Sequence, residues 1–204
     1  APGQLVIEVA ESFSITLNDK TEGYNAEAHY LTAATSGAAT GATTIKYALE
    51  EDAADDEWYD SVEEAVLGRT DVGSTTIYAK ATNPNYENEA KDSAVLTVTA
   101  REITLTGNSD TKTYTGKELE VTGFTAGAGQ LVSGHEVDAS AKAAGTDVGT
   151  YPGTITDAKD VKIKDADGKD VTKNYNIKTA PGQLVIEVAE SFSITLNDKT
   201  EGYN

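Results

Sequence analysis

Residues Ala180–Asn204 (APGQLVIEVAESFSITLNDKTEGYN) restate residues Ala1–Asn25 letter for letter. Identity over 25 positions is not chance, and the offset of 179 residues makes residues 1–179 one full period. Residues 180–204 are then the opening of the next period, or a duplication introduced at the ends. Solenoid repeats run to roughly 20–50 residues and borrow their cores from neighbours. A period this long must hold whole domains that bury cores of their own.

The period also echoes itself. In Gln4–Val9, Leu5, Ile7 and Val9 alternate with Val6 and Glu8; in Ser12–Asn18, Phe13, Ile15 and Leu17 alternate with Ser14 and Thr16. Period-two alternation marks half-buried strands. Only Ala10 and Glu11 separate the two, which expects a stiff joint rather than a flexible linker. Asn18–Asn25 reads as a turn and Ala33–Thr44 as a loop at or between strands. Thr44–Leu49, Ser74–Thr82, Ala94–Ala100 and Arg101–Thr106 read as further strands.

Four landmarks then recur in one order. Ser14-Ile15-Thr16-Leu17 matches Glu102-Ile103-Thr104-Leu105, and Thr70-Asp71-Val72-Gly73 with Tyr78 matches Thr146-Asp147-Val148-Gly149 with Tyr151. Asn85-Tyr86 matches Asn174-Tyr175, and Leu96-Thr97-Val98 matches Leu184-Val185-Ile186. The expectation is two diverged modules, 10–100 and 101–189. Residues 1–9 would be the last strand of a preceding repeat, and 190–204 the first strand of a following one.

The fold class this implies is mainly β: two small tandem domains, Ig-like sandwich or β-grasp-like, built from short alternating segments between Gly, Asn and Asp turns. Asp167-Gly168, between Asp160–Lys164 and Lys173–Lys178, is a hairpin signal. At most one short helix is expected, near 61–67, with Ser61 as N-cap, Glu64 closing a capping box and Gly68 as the stop.

The Asp-Val-Gly-Thr-Tyr step at Asp147–Tyr151, Val161-Lys162-Ile163, the hairpin Asp165–Ile177 and the closing Gly182-Gln183-Leu184-Val185-Ile186 resemble the MBG/YDG-type repeats of bacterial, especially Gram-positive, cell-surface proteins. The likeness is good over the second module. It is looser over the first, where the loop Ala33–Thr44 and the acidic insert depart from the pattern. The resemblance implies a β-rich module of multi-repeat adhesins and stalks, and no catalytic residues.

Charge narrows the partners. With 34 acidic against 16 basic residues the net charge is -18, which repels phosphate backbones and anionic membranes and leaves no nucleic-acid role. No apolar run is long enough to cross a bilayer, so no membrane insertion of this segment is expected. The absence of Cys and Met fits an oxidising bacterial surface, with any export signal or wall anchor in regions outside this stretch.

Candidate sites are few. Asp165, Asp167 and Asp170 around Gly168 gather carboxylates as a calcium loop does, but the further ligands of an EF-hand are missing and a plain hairpin turn accounts for them better. Trp58 and Tyr59 lie in Glu50–Glu64, a run of nine acids and no base, and could offer a sugar ring an aromatic platform; a lone Trp in a small β domain is more often core. His29 and His135 are isolated, and Gly127-Ala128-Gly129 lacks the rest of a phosphate loop. Lys117 and Asn176 suit an isopeptide crosslink by residue type alone. No catalytic or cofactor-binding residue is expected. The sequence therefore points to a non-enzymatic, extracellular stalk repeat whose partners are neighbouring repeats, with host or environmental glycan or protein binding as the alternative.

Overall fold

The computed structural model describes residues 3, 8, 10–37, 39–190 and 194–196. Its strands are β1 (Ile15–Thr16), β2 (Lys20–Gly23), β3 (Thr35–Ser36), β4 (Thr44–Ala48), β5 (Gly73–Thr82), β6 (Ala90–Thr99), β7 (Arg101–Gly107), β8 (Asp110–Thr113) and β9 (Leu119–Thr122). They continue as β10 (Phe124–Ala126), β11 (Glu136–Asp138), β12 (Ala141–Gly145), β13 (Gly149–Pro152), β14 (Thr154–Ile155), β15 (Lys162–Lys164), β16 (Tyr175–Ala180) and β17 (Gln183–Glu187). The protein is mainly β, as its alternating segments require. The chain divides into two compact units: unit 1 is Ala1–Ile103 with Gly129–Glu136 and Lys162–Asn176, and unit 2 is Thr104–Ala128, Val137–Val161 and Ile177–Asn204.

Unit 1 is built on a four-stranded sheet in the order β2, β6, β5, β4. The long β5 and β6 bury alternate residues, Ile77, Ala79 and Ala81 on one and Ala90, Ala94, Leu96 and Val98 on the other. Ile15, Leu17, Leu31, Val62 and Leu67 join most of these residues in one core, together with Tyr47 of β4. Pairing of β1 with β3, Ile15 opposite Ser36, closes the other side of the core.

Unit 2 is smaller and carries three-stranded sheets, among them β14–β12–β9 and β13–β17–β8. Its core joins Ala143, Leu184 and Ile186 with half-buried Leu119, Val121 and Tyr151. Gly182 opens β17 where the backbone of Gly107 and Asn108 comes so close that a Cβ there would lie 2.1 Å from the Asn108 carbonyl oxygen. Only glycine fits such an approach.

Both units share one register. In unit 1, Val98 of β6 lies opposite Gly73 of β5 on one side and Glu22 of β2 on the other. In unit 2, Ile186 of β17 lies between Gly149 of β13 and Lys112 of β8. In each case the strand that opens on the glycine is antiparallel to the closing strand, and the early edge strand is parallel to it. The matched landmarks Asp-Val-Gly and Leu-x-Val/Ile therefore occupy equivalent places. Tyr78 and Tyr151 do not: Tyr151 faces Leu184, and the residue facing the equivalent Leu96 is Thr75.

Four local expectations change. Asn18–Asn25, read as a turn, contains β2, and the polar stretch after Leu105 contains β8; both are edge strands whose bonding partner lies some 75 residues on in the chain. The strand expected across Ser12–Asn18 is regular only at Ile15–Thr16. The helix near 61–67 is a single 3-10 turn, Ala65–Leu67, because burying both Val62 and Leu67 leaves Val66 outward and breaks the helical stripe. Ser61 accordingly accepts from the Glu63 amide rather than boxing with Glu64, and two further 3-10 turns lie at Asp55–Glu57 and Thr172–Asn174. The Asp167-Gly168 turn forms, with Gly168 at φ 81° and its amide on the Asp165 carbonyl, but the returning chain makes only a short bridge at Asp170 before its 3-10 turn. The strand expected over Gln4–Val9 apart from Glu8, and that over 190–204 apart from Glu190 and Ile194–Leu196, lie outside the described residues.

Candidate functional site

The sequence candidates do not assemble into a reactive centre. Asp165 spends its Oδ1 on the amides of Asp167 and Lys169, at 3.0 and 2.9 Å, and Asp170 accepts from the Thr172 amide at 2.9 Å, so these carboxylates cap their own turn. Among the described residues no group of three or more His, Cys, Asp or Glu side chains is arranged to hold a metal ion. Trp58 is 7% exposed, donates from Nε1 to the Ala53 carbonyl at 3.0 Å, and has the Lys80 ammonium 4.2 Å above its ring. Tyr59 is half-buried and bridges Tyr47 through paired backbone bonds. Asn176 donates its amide to Glu102.

A different residue is the buried polar anchor of unit 1. Asn174, fully buried, lies at the end of the 3-10 turn Thr172–Asn174. Its Nδ2 donates to Asp71 Oδ1 at 2.8 Å and its Oδ1 accepts from the Val72 amide at 2.9 Å. Asp71 also receives Lys173 Nζ at 2.9 Å. The Lys173 ammonium and then the Asn174 amide hold the Asp71 carboxyl below the usual carboxylate range, since both bind the charged form better than the neutral one. An amide buried with both its ends satisfied fixes orientation as well as contact.

Arg69 sets the loop that Asn174 reads. Its guanidinium donates to the Val72 carbonyl, the Ser74 carbonyl and Thr75 Oγ1, and lies across Gly73, where a Cβ would meet Nη2 at 2.0 Å and φ is 138°. The recurring Asp-Val-Gly is thus a turn that presents a carboxylate and a backbone amide to one asparagine.

Residues 129–136 and 162–176 reach unit 1 through two more groups. Arg101 donates to the carbonyls of Tyr24, Gly129 and Gln130, gathering three segments on one planar fork. Tyr175, beside Asn174, packs edge-on to Tyr24 at 5.6 Å, and its hydroxyl meets His135 Nδ1 at 2.8 Å and the Val132 amide at 3.2 Å. Burial pushes the His135 imidazole below its ordinary pKa, with Asp165 opposing, and pushes the Tyr24 and Tyr175 hydroxyls up. Asn174 and Tyr175 were visible in the sequence as a recurring pair, but Asp71, the partner of Asn174, lies 103 residues away.

Each unit also has an open cleft. One of about 690 Å³ in unit 2 runs along Thr122, Phe124, Ser140, Lys142, Thr154 and Thr156. Another of about 650 Å³ in unit 1 is bordered by Lys20, His29, Tyr30, Asp60, Ser61 and Glu63. Among the described residues no helix is long and apolar enough to cross a membrane.

No family model matches the chain and no curated protein matches it. Among solved structures it is similar to fibronectin(III)-like modules of Clostridium thermocellum CbhA, at 11% identity over 90% of this chain and 100% of that one, TM-score 0.24. It is similar to the N-terminal four Ig domains of Dscam1, at 13% identity over 92% of this chain and 48% of that one, TM-score 0.29. A third likeness is to BT4661, a SusE-like surface-located polysaccharide-binding protein from Bacteroides thetaiotaomicron, at 15% identity over 87% of this chain and 34% of that one, TM-score 0.25. The chain thus spans about half and about a third of the last two, and scores this low carry no function across.

Proposed function

We propose that the chain is a non-enzymatic spacer repeat of a bacterial extracellular, cell-surface protein, whose work is to hold its shape under tension between neighbouring repeats. One observation carries this reading: in each unit an early edge strand is parallel to a strand some 75 residues later that takes up its bonds, β2 to β6 and β8 to β17. In a parallel pair the chain enters at one end of the ladder and leaves at the other. Tension then slides the strands past each other, and their backbone bonds resist together; pulled from one end, the same bonds would open in turn. Forced unfolding is governed by that barrier rather than by equilibrium stability.

The Asn174 lock and the Arg101 fork support the same reading, since they tie segments of the second half of the sequence into unit 1. A net charge of -18 makes copies of such a chain repel one another and keeps them in solution. The Asp-Val-Gly and Asn-Tyr landmarks favour the MBG/YDG type among surface repeats. The chain has no Cys, so paired Cys handles can be placed at will. Handles at Asn18 and Ala100 load β2 against β6 in shear, and handles at Ala26 and Ala100 peel the same pair from one end. The shear pair is expected to rupture at clearly higher force in single-molecule pulling; equal forces would refute the mechanical reading.

A second reading, an adhesive module that binds glycan or host protein, is favoured by the two open clefts, each of which borders hydroxyls, a lysine and an aromatic ring, with the carboxylates of Asp60 and Glu63 added in unit 1. Its test is a glycan array probed with the full chain, where no bound sugar at millimolar concentration retires it.

A further inference from the structure

The open cleft of unit 1 has walls that the fold sets before anything enters. Its floor is apolar, made by Leu31, Tyr47 and Val62, each at most 4% exposed. One wall, the segment 28–33, is fixed by His29 and Arg69, whose amides each donate to the other's carbonyl at 2.9 Å. The other wall, the segment 60–63, continues from Tyr59, which pairs with Tyr47 in the same way at 2.8 Å. Walls held by backbone pairs need little ordering when a ligand arrives, and that favours binding.

Three features of the lining decide what it can receive. Tyr30 brings a half-buried aromatic ring, which lies so close over Gly68 that a Cβ there would sit 2.5 Å from Cε1. The charges at the border are already met from within: Lys20 donates to the Tyr30 carbonyl at 3.1 Å and pairs with Glu22 at 3.4 Å, and Asp60 pairs with Lys46 at 3.1 Å. His29 Nε2, by contrast, is buried and meets no hydrogen-bond partner among the described residues. A buried polar atom without a partner is costly, and in a native fold it calls for an explanation.

We propose that this cleft binds a short neutral oligosaccharide, with the Tyr30 ring against the apolar face of one sugar and with Ser61, Glu63 and His29 taking its hydroxyls. Ser61 Oγ accepts from the Glu63 amide, which leaves its own proton to donate. A sugar ring matches the lining because it carries both surfaces at once, C–H bonds on one face and hydroxyls around the rim. An ion would meet charges that are already paired, and a wholly apolar ligand would leave the hydroxyls and the carboxylate uncovered by any partner. The volume, about 650 Å³, lies in the range of small-molecule sites and exceeds what one sugar ring fills. The inference rests on the adhesive reading, to which it adds a place and a class of ligand, and it is independent of the mechanical one.

The full chain, isotope-labelled for NMR, is titrated in turn with maltotetraose, cellotetraose, laminaritetraose, xylotetraose and mannotetraose, and with tetragalacturonate as the charged counterpart. At least one neutral tetraose is expected to bind at millimolar concentration and to shift the amides of 28–33 and 60–63, while those of 122–124, 140–142 and 154–156 in the unit 2 cleft stay in place. Tyr30→Ala is expected to weaken that binding by roughly tenfold, and Tyr30→Phe, which keeps the ring, by less than about threefold. Because Tyr30→Ala also uncovers Gly68, a second variant is needed: His29→Leu removes the orphaned atom and should weaken binding by about tenfold with no drop in melting temperature. Shifts confined to the unit 2 cleft would overturn the proposal and leave the adhesive reading standing, whereas silence from every tetraose would overturn the proposal and the glycan form of that reading together. Equal or tighter binding of tetragalacturonate would overturn the neutral ligand class, and binding undiminished in both Tyr30→Ala and His29→Leu would overturn the site.

Discussion

Replacing Asn174 by Ala removes the buried side chain that, beside Lys173, joins the Asp71-Val72 turn to the 3-10 turn leading into β16. Two bonds are lost, to the Asp71 carboxylate at 2.8 Å and from the Val72 amide at 2.9 Å. A bond to a charged partner contributes about 1.5–3 kcal/mol and a neutral one about 0.5–1.5 kcal/mol. The Asp71 side chain is 31% exposed and retains Lys173, so part of its loss is made good by water, and the lower half of the range applies. The expected cost is about 2–3 kcal/mol, which for a chain of this length lowers the melting temperature by roughly 5–10 °C. Urea unfolding followed by Trp58 fluorescence reads unit 1 directly. Asn174→Leu, similar in volume but unable to bond, should cost at least as much, because it covers the half-buried Val72 amide without offering it an acceptor. A loss below about 0.5 kcal/mol in both variants would refute the claim that this buried amide locks the unit.

Acid should weaken the same lock: Asp71 has a folded pKa below its unfolded value, so its contribution is complete above about pH 4 and is lost as pH falls through the folded value, a dependence that Asn174→Ala should flatten in pH-resolved melting. His135 acts in a higher window; its folded pKa is depressed by burial, so its contribution is complete above about pH 6.5 and declines below that, and His135→Gln should show a smaller change in melting temperature between pH 7.5 and 5.5 than the parent. Gly182→Ala drives a methyl into the Asn108 carbonyl and should cost about 1–3 kcal/mol, while Gly3→Ala, the same residue of the repeated segment with no described atom within 4 Å of the added Cβ, should leave the melting temperature unchanged. Calcium added after chelation is expected to leave the melting temperature unmoved, because Asp165 and Asp170 are already engaged with backbone amides.

Several features were legible before any coordinates. Alternation along Ser74–Thr82 and Ala94–Ala100 announces strands because one face must be apolar to meet a core, and that requirement is local. The landmark Asp-Val-Gly was visible as a recurrence, though its meaning, a turn held by Arg69 and read by Asn174, was not. Asn174 itself looks like any turn asparagine. What makes it central is an aspartate 103 residues earlier, and no window along the chain contains both.

The letters of this chain alone establish a repeat of 179 residues, a β architecture and an acidic surface, since each follows from composition or from the pattern of near neighbours. Folding settled the rest. Lys20–Gly23 and Asp110–Thr113 are polar enough to pass for turns, yet both are strands, because the bonds that make them so come from β6 and β17 far along the chain. The repeated segment makes the same point within one molecule: Ile15-Thr16-Leu17 is buried and Ile194-Thr195-Leu196 is bare, so burial belongs to the surroundings that a residue meets and not to its identity.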